Sequence, residues 1–283
     1  MPTATLRLHC DDVSGIVFHV SKFIFDRGGN IIDAQQHTEE LGNRFFMRVH
    51  FDRSAMKVTK TALRDDLSVL ADEFGMQTEL SFDDERKRMA IMVSKYDHCL
   101  YDLFLRHQYG ELAADIALVV SNHPDLERVA ESFRAPFFCV PVNKATREEG
   151  ETKALELFRQ HHVDFVVLAR YMQILTPRVV SAYRNQIINV HHSFLPAFQG
   201  ARPYHQAYAR GVKLIGATSH YVTEDLDEGP IIEQDCIKVN HGHSVHDLVA
   251  MGRDIEKRVL AAAVKAHADG RIMVYDKRTI VFH

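Results

Sequence analysis

Apolar positions in this chain follow two different rhythms, and the change between them falls near residue 84. In the first part, residues 3–10 (TATLRLHC) alternate as a half-buried strand does. Val13, Ile16, Val17, Val20, Phe23 and Ile24 then recur at helical spacing behind Asp11 and Asp12, and Gly28 and Gly29 stop that helix. Residues 30–38 and 44–52 are strand-like runs separated by the turn-prone stretch Glu39 to Asn43, which predicts a hairpin. A second helix is expected over residues 57–74, with Leu63, Leu67, Leu70 and Phe74 as its stripe and Gly75 as its stop. QTELSF supplies a last strand, giving a βαββαβ unit.

Beyond residue 88, continuous apolar runs alternate with amphipathic segments, as in a parallel sheet covered on both faces. Strands are expected at residues 89–94, 116–121, 137–141, 165–169 and 187–190, with helices in the gaps. Residues 214–222 and 231–239 read as further strands joined by an acidic loop. A helix over residues 245–268 carries Val249, Ile255, Val259 and Ala263, and RIMVYDKRTIVF ends the chain as a hairpin. The fold class is therefore α/β: a ferredoxin-like βαββαβ domain over residues 1–84, then a Rossmann-like, mostly parallel sheet domain over residues 85–283.

Charge sharpens the boundary. The first 84 residues carry a net charge of −5 and the remainder +1, and Asp83-Asp84-Glu85 followed by Arg86-Lys87-Arg88 reads as an exposed linker. A length of 283 residues suits two domains. With a net charge of −4 and no basic segment, the chain offers no footprint for nucleic acid or an anionic membrane surface. No apolar window of about 18 residues and no leader pattern occur, so a cytoplasmic protein is expected.

The four cysteines, Cys10, Cys99, Cys139 and Cys236, are scattered, and read as buried, reduced thiols. Among the 18 histidines the tightest cluster is His241, His243 and His246, which lacks a cysteine or acidic pair. It reads as a polar loop leading into a helix, and no metal site is predicted.

Asn189 and His191 stand at the end of a predicted buried strand, where ligands sit in open α/β sheets. Alternate residues there share one side, so an amide and an imidazole face one cleft. Some thirty residues on, a further strand delivers the acidic loop Thr223 to Pro230, whose Asp227 is placed to join them. No GxGxxG follows any strand, which excludes a dinucleotide-binding dehydrogenase.

The segment from NVHHSFLP to YVTEDLDEGPII resembles the formyltransferase-type catalytic region of folate enzymes, with its Asn-x-His-x-Ser-x-Leu-Pro pattern followed by His and Asp-x-Gly. The earlier DDVSGIV, RGGNIIDAQQH and RFFMRVHF resemble the ACT domain of formyltetrahydrofolate deformylases, and this fusion narrows the resemblance to that family. The resemblance implies a regulatory ACT domain over residues 1–84 and a catalytic domain over residues 85–283. Its substrate would be 10-formyltetrahydrofolate, hydrolysed to tetrahydrofolate and formate to balance the one-carbon folate pool and supply purine synthesis.

By the same resemblance Asn189, His191 and Asp227 are the catalytic trio. Asn189 and protonated His191 would donate to the oxyanion, and Asp227 would orient water and relay a proton. Leu168, Tyr171, Met172, Gln173, Ile174 and Leu175 would line the pterin, with His220 and Asp225 beside them. Gln173 stands where many relatives carry arginine. No cofactor is implied, since folate is the substrate. Gly28, Gly29 and Asn30 resemble the place where ACT domains bind small amino-acid effectors, and such domains commonly pair, so a homo-oligomer is expected.

Two other readings remain open on these residues. One is a formyltransferase to a small amine. A transferase acting on a phosphorylated amine needs a glycine-rich cradle after the first sheet strand, and here Ser94 to Cys99 contains no glycine. A tRNA-directed transferase would carry an added basic domain, and none follows. The other reading is a catalytically silent ligand sensor, against which the intact trio speaks.

Overall fold

The computed structural model describes residues 1–143, 145–197 and 203–283. Residues 198–202, within the segment that resembles folate enzymes, lie outside the described residues. The chain divides into two compact units, one of Met1–Arg86 with Ile280–His283 and one of Lys87–Thr279. No local sequence signal marked the last four residues for the first unit.

The first unit runs β1 (Thr3–Asp11), α1 (Ile16–Asp26), β2 (Asn30–Glu39), β3 (Arg44–Asp52), α2 (Lys60–Phe74) and β4 (Gln77–Phe82). Its four strands form one antiparallel sheet in the order β2-β3-β1-β4. Leu6, Leu8, Val49 and Phe51 pack against Val20, Ile24, Leu63 and Leu67 in its core. Both helices start later than the apolar spacing suggested. Gly15, at φ 97, turns the chain into α1, and the Thr59 side chain caps α2 by accepting from the Ala62 amide. The acidic linker residues Asp84 and Glu85 are exposed but ion-paired with Arg53, Lys60 and Arg64.

The second unit runs β5 (Lys87–Val93), α3 (His98–Gln108), β6 (Ala114–Ser121), α4 (Glu127–Ser132), β7 (Phe137–Cys139), α5 (Arg147–Gln160), β8 (Phe165–Leu168) and α6 (Pro177–Ala182). It continues with β9 (Ile187–His191), α7 (Pro203–Arg210), β10 (Leu214–Tyr221), β11 (Ile231–Lys238), α8 (Val245–Ala268) and β12 (Ile272–Tyr275), and β13 (Arg278–Val281) runs from its last residues into Ile280–His283. Seven strands make one sheet in the order β11-β10-β9-β8-β5-β6-β7. Strands β5 to β9 pair in parallel, whereas β10 is antiparallel to both its neighbours. Strand β7 stops before Pro141, which has no amide hydrogen to extend a ladder.

From β5 the chain passes to β6 on one side, and later to β8 on the other. The strand order thus reverses between β5 and β8, and the carboxyl ends of β5, β8 and β9 open onto one crevice. Beneath it Ala90, Met92, Leu118, Val166 and Ile187 pack against Leu157, Phe158 and Val179.

The cysteines correct one expectation. All four are free, but only Cys10 and Cys99 are buried, whereas Cys139 and Cys236 are exposed. The reason is topological: Cys139 ends β7 and Cys236 lies on β11, the two edge strands of the sheet.

Candidate active site

Asn189 and His191 lie on β9 itself, which extends to residue 191 rather than ending before it. Two residues apart on a strand, they leave the same face. His220, on β10, is the cross-strand partner of Asn189. The loop after β10 then folds tightly back, because a Cβ at Gly229 would stand 1.7 Å from the Tyr221 carbonyl oxygen. This turn returns Asp227, in the left-handed region at φ 59, toward β9.

The resulting contacts are specific. Nδ1 of His191 lies 3.2 Å from Oδ2 of Asp227, and Nε2 of His220 lies 3.7 Å from Oδ1 of the same carboxylate. Asn189 Nδ2 is 3.2 Å from His220 Nε2, while His220 Nδ1 is 2.9 Å from the Tyr221 carbonyl oxygen. A carbonyl only accepts, so His220 Nδ1 carries a hydrogen, and its Nε2 faces both the Asn189 amide and the Asp227 carboxylate. Burial alone would raise the Asp227 carboxyl; hydrogen bonds and charge from His191 and His220 outweigh it and hold the group well below the usual carboxylate range. His191 Nε2 is buried and has no hydrogen-bond partner among the described residues.

The backbone beyond β9 is clamped in place. Thr218 Oγ1 donates to the Ser193 carbonyl at 2.9 Å and accepts from the Leu195 amide at 3.0 Å. Gln234 Nε2 in turn donates to Thr218 Oγ1 and to the Leu195 carbonyl. These bonds tie the segment after β9 to β10 and β11 and fix the exit of the strand that carries His191.

Asn189, His191, His220 and Asp227 line one cavity of about 590 Å³. Leu168, Tyr171, Met172, Gln173, Ile174 and Leu175 form one wall of it, and Asp225 stands on the returning loop with Asp227. Met172 and Ile174 are half-exposed, an apolar lip suited to a flat ring. Burial pushes the Tyr171 hydroxyl up to about 12, so it stays neutral. Gly28, Gly29 and Asn30 belong to the first unit and have no part in this cavity. Their unit's own packing accounts for both glycines: Gly28 sits at φ 80, and a Cβ at Gly29 would lie 2.7 Å from the Ile24 side chain.

The same cavity holds residues that sequence reasoning missed. Glu256, buried in the middle of α8, accepts from Tyr204 at 2.8 Å and contacts His98 Nε2 at 2.8 Å. Burial favours its neutral form, but these hydrogen bonds and the Arg170 charge prevail and lower its pKa. Tyr204 reaches it because residue 252 is glycine; a Cβ there would lie 2.1 Å from the Tyr204 hydroxyl. His192, desolvated by burial and facing the Arg170 charge, is pushed down to about 4. Helix phase was the available signal for Glu256, which shares a face with Gly252, Val259 and Leu260.

Donor atoms of His98, Cys99 and Glu256 come within 4.8 Å of one another, yet Arg170 Nε stands 3.6 Å from Glu256 and already supplies the positive charge there. His241, His243 and His246 make no such group among the described residues. His243 Nδ1 accepts instead from the Asn240 amide, in the turn before α8.

Comparison with known proteins agrees with this layout. Residues 87–264 match the formyl transferase family and residues 4–67 match the ACT domain. Fold and site together define a formyl transferase-type domain joined to an ACT domain. The chain is 51% identical to the formyltetrahydrofolate deformylase of Bacillus subtilis, over 98% of this chain and 93% of that protein. For the Escherichia coli K12 deformylase the identity is 41%, over 98% and 97%. The crystal structure of a Pseudomonas syringae formyltetrahydrofolate deformylase superposes with a TM-score of 0.98 at 45% identity, covering 100% of this chain and 95% of that one. A glycinamide ribonucleotide transformylase from Symbiobacterium toebii superposes less fully, with a TM-score of 0.67 at 30% identity over 72% of this chain and 98% of its own. The chain belongs to the formyltetrahydrofolate deformylase family.

Proposed function

We propose that this chain hydrolyses 10-formyltetrahydrofolate to tetrahydrofolate and formate, balancing the one-carbon folate pool and supplying formate for purine synthesis. The observation that carries this reading is the meeting of Asn189, His191 and Asp227 in one cavity, within a chain 41–51% identical to deformylases along nearly its whole length.

The chemistry follows from the groups. Water adds to the formyl carbon, the C–N10 bond breaks, the nitrogen takes a proton, and formate departs. The Asn189 amide and the imidazolium form of His191, through its open Nε2, donate to the oxygen that becomes negative in the transition state. Asp227 orients the attacking water and balances the charge of His191. His220 holds the Asn189 amide in its donating orientation. The wall from Leu168 to Leu175 takes the pterin, with Gln173 and Asp225 at its margin.

Water is the favoured acceptor because Tyr96 in the loop after β5 and His98 at the start of α3 stand where a glycine cradle for a phosphorylated amine would lie. Incubation with 10-formyltetrahydrofolate and no added acceptor releases formate on this account. A folded protein that releases none refutes it, with Asp227→Asn as the control.

For the first unit we propose a small amino-acid effector bound beside Gly28, Gly29 and Asn30, in keeping with the ACT domain match. Homo-oligomer formation is supported by Phe18 and Phe25, which α1 leaves 64% and 77% exposed. The four free cysteines suit the reducing cytoplasm. Among the described residues no helix is long and apolar enough to cross a membrane.

A further inference from the structure

We propose that Arg170 heads a buried subsite for a small carboxylate in the same cavity, and that its occupant is the formate released by hydrolysis. The identity of that occupant rests on the function proposed above.

Arg170 follows directly after β8 and lines the cavity. Its backbone lies at φ 65, a region that residues with a side chain seldom adopt. The side chain is only 10% exposed, and its guanidinium carbon sits 4.9 Å from the centre of the Tyr96 ring. Its nearest acid is Glu256, but Nε is 3.6 Å from Oε2, beyond hydrogen-bond reach. The Glu256 oxygens are already engaged, by His98 and by Tyr204. Arg170 Nε and Nη1 are therefore buried without a hydrogen-bond partner among the described residues.

A buried guanidinium with open N–H groups is unfavourable unless something completes it. A carboxylate does so with charge-assisted hydrogen bonds, because its oxygens match the planar donors of arginine. The reaction creates such an anion in an acidic setting, since Glu224, Asp225 and Asp227 all line the cavity. Formate formed beside Asp227 is repelled there, and Arg170 offers it a cation within the same enclosure.

The glutamate tail of folate is the other source of carboxylate. A tail that carries its charge into solvent suits Arg253, which is exposed on α8 at the same cavity. Arg170, almost fully enclosed, suits an anion of three heavy atoms.

The test measures binding apart from turnover. Saturation-transfer NMR with sodium formate and no folate is expected to detect binding to the wild-type protein, with formate shifting the Arg170 Nε–H resonance. Absence of binding at about 100 mM formate overturns the proposal, since that concentration reaches even very weak sites. Arg170→Gln is expected to weaken formate binding by roughly tenfold or more, and Arg170→Lys by less. Unchanged affinity in both variants overturns it too.

A second arm compares KM for substrates with and without the glutamate tail. The effect of the tail is expected to survive in Arg170→Gln. Its disappearance, with formate binding intact, makes the tail the occupant and formate not. Should the variants fail to fold, the wild-type shift at Arg170 decides alone. A protein that binds formate but never produces it would refute the hydrolysis and leave the subsite standing.

Discussion

His191 turns one ring nitrogen to Asp227 at 3.2 Å and leaves the other, Nε2, without a hydrogen-bond partner among the described residues. With Nδ1–H committed to the carboxylate, Nε2 is the atom left for substrate. His191→Asn and Asp227→Asn are each expected to lower kcat by on the order of 10²–10³ or more, with smaller changes in KM. Steady-state kinetics checks this, and a rise in KM at unchanged kcat would move the trio away from the reacting carbon.

Asp227 also links folding to pH. Its carboxyl is held low by the two histidines, so the stability it adds is present above the usual carboxylate range and is lost only as pH falls through its depressed folded value. Chemical denaturation of wild type and Asp227→Asn is expected to show a stability gap at neutral pH that closes only in strong acid. A gap that closes near pH 6 contradicts the assignment to this carboxyl.

Asn189 and His220 should behave as one device. Asn189→Ala is expected to cost on the order of 10²–10³ in kcat as an oxyanion donor is lost. His220→Ala is expected to cost less, and the double variant less than the sum of the two single losses, because the two side chains share one contact. Additive losses would give His220 a separate task.

His192 is expected to stay neutral across ordinary pH. Burial and the Arg170 charge lower it to about 4, below its value in an unfolded chain. The sign follows: its contribution to stability is complete above about pH 6.5 and declines as pH falls toward about 4, because the unfolded chain takes the proton first. NMR titration of the ring should therefore be flat from pH 8 to about 5. A midpoint near 6.5 would contradict the burial of this residue.

Two glycines offer a test by crowding. At Gly229 an alanine methyl would stand 1.7 Å from the Tyr221 carbonyl oxygen, and at Gly252 it would stand 2.1 Å from the Tyr204 hydroxyl. Gly229→Ala is expected to displace the loop that carries Asp227 and lower kcat sharply. Gly252→Ala is expected to push Tyr204 off Glu256 and destabilise the protein by about 1–3 kcal/mol. Kinetics and thermal melts read the two effects separately.

Much of this was legible in the order of residues, for identifiable reasons. The strands β5, β6 and β8 are buried on both faces and so announce themselves as unbroken apolar runs. The bounds of α8 came out as expected because Ser244 and Asp247 form a reciprocal cap at its start. The starts of α1 and α2 were read three residues early, since apolar spacing continues past the point where Gly15 and Thr59 set the backbone. Asn189, His191 and Asp227 were visible as a pattern along one strand and one loop. The group of Arg170, His98, Tyr204 and Glu256 was not, because it is assembled from four distant segments. A glutamate within an amphipathic helix also reads by default as solvent-facing.

The claim on which the account depends is that water accepts the formyl carbon in this cavity, and isotope labelling tests it most directly. Turnover of 10-formyltetrahydrofolate in H₂¹⁸O should give formate carrying one solvent oxygen, at a rate that collapses in Asp227→Asn. Formate without the label, or a formyl group found on an added amine instead, would contradict it.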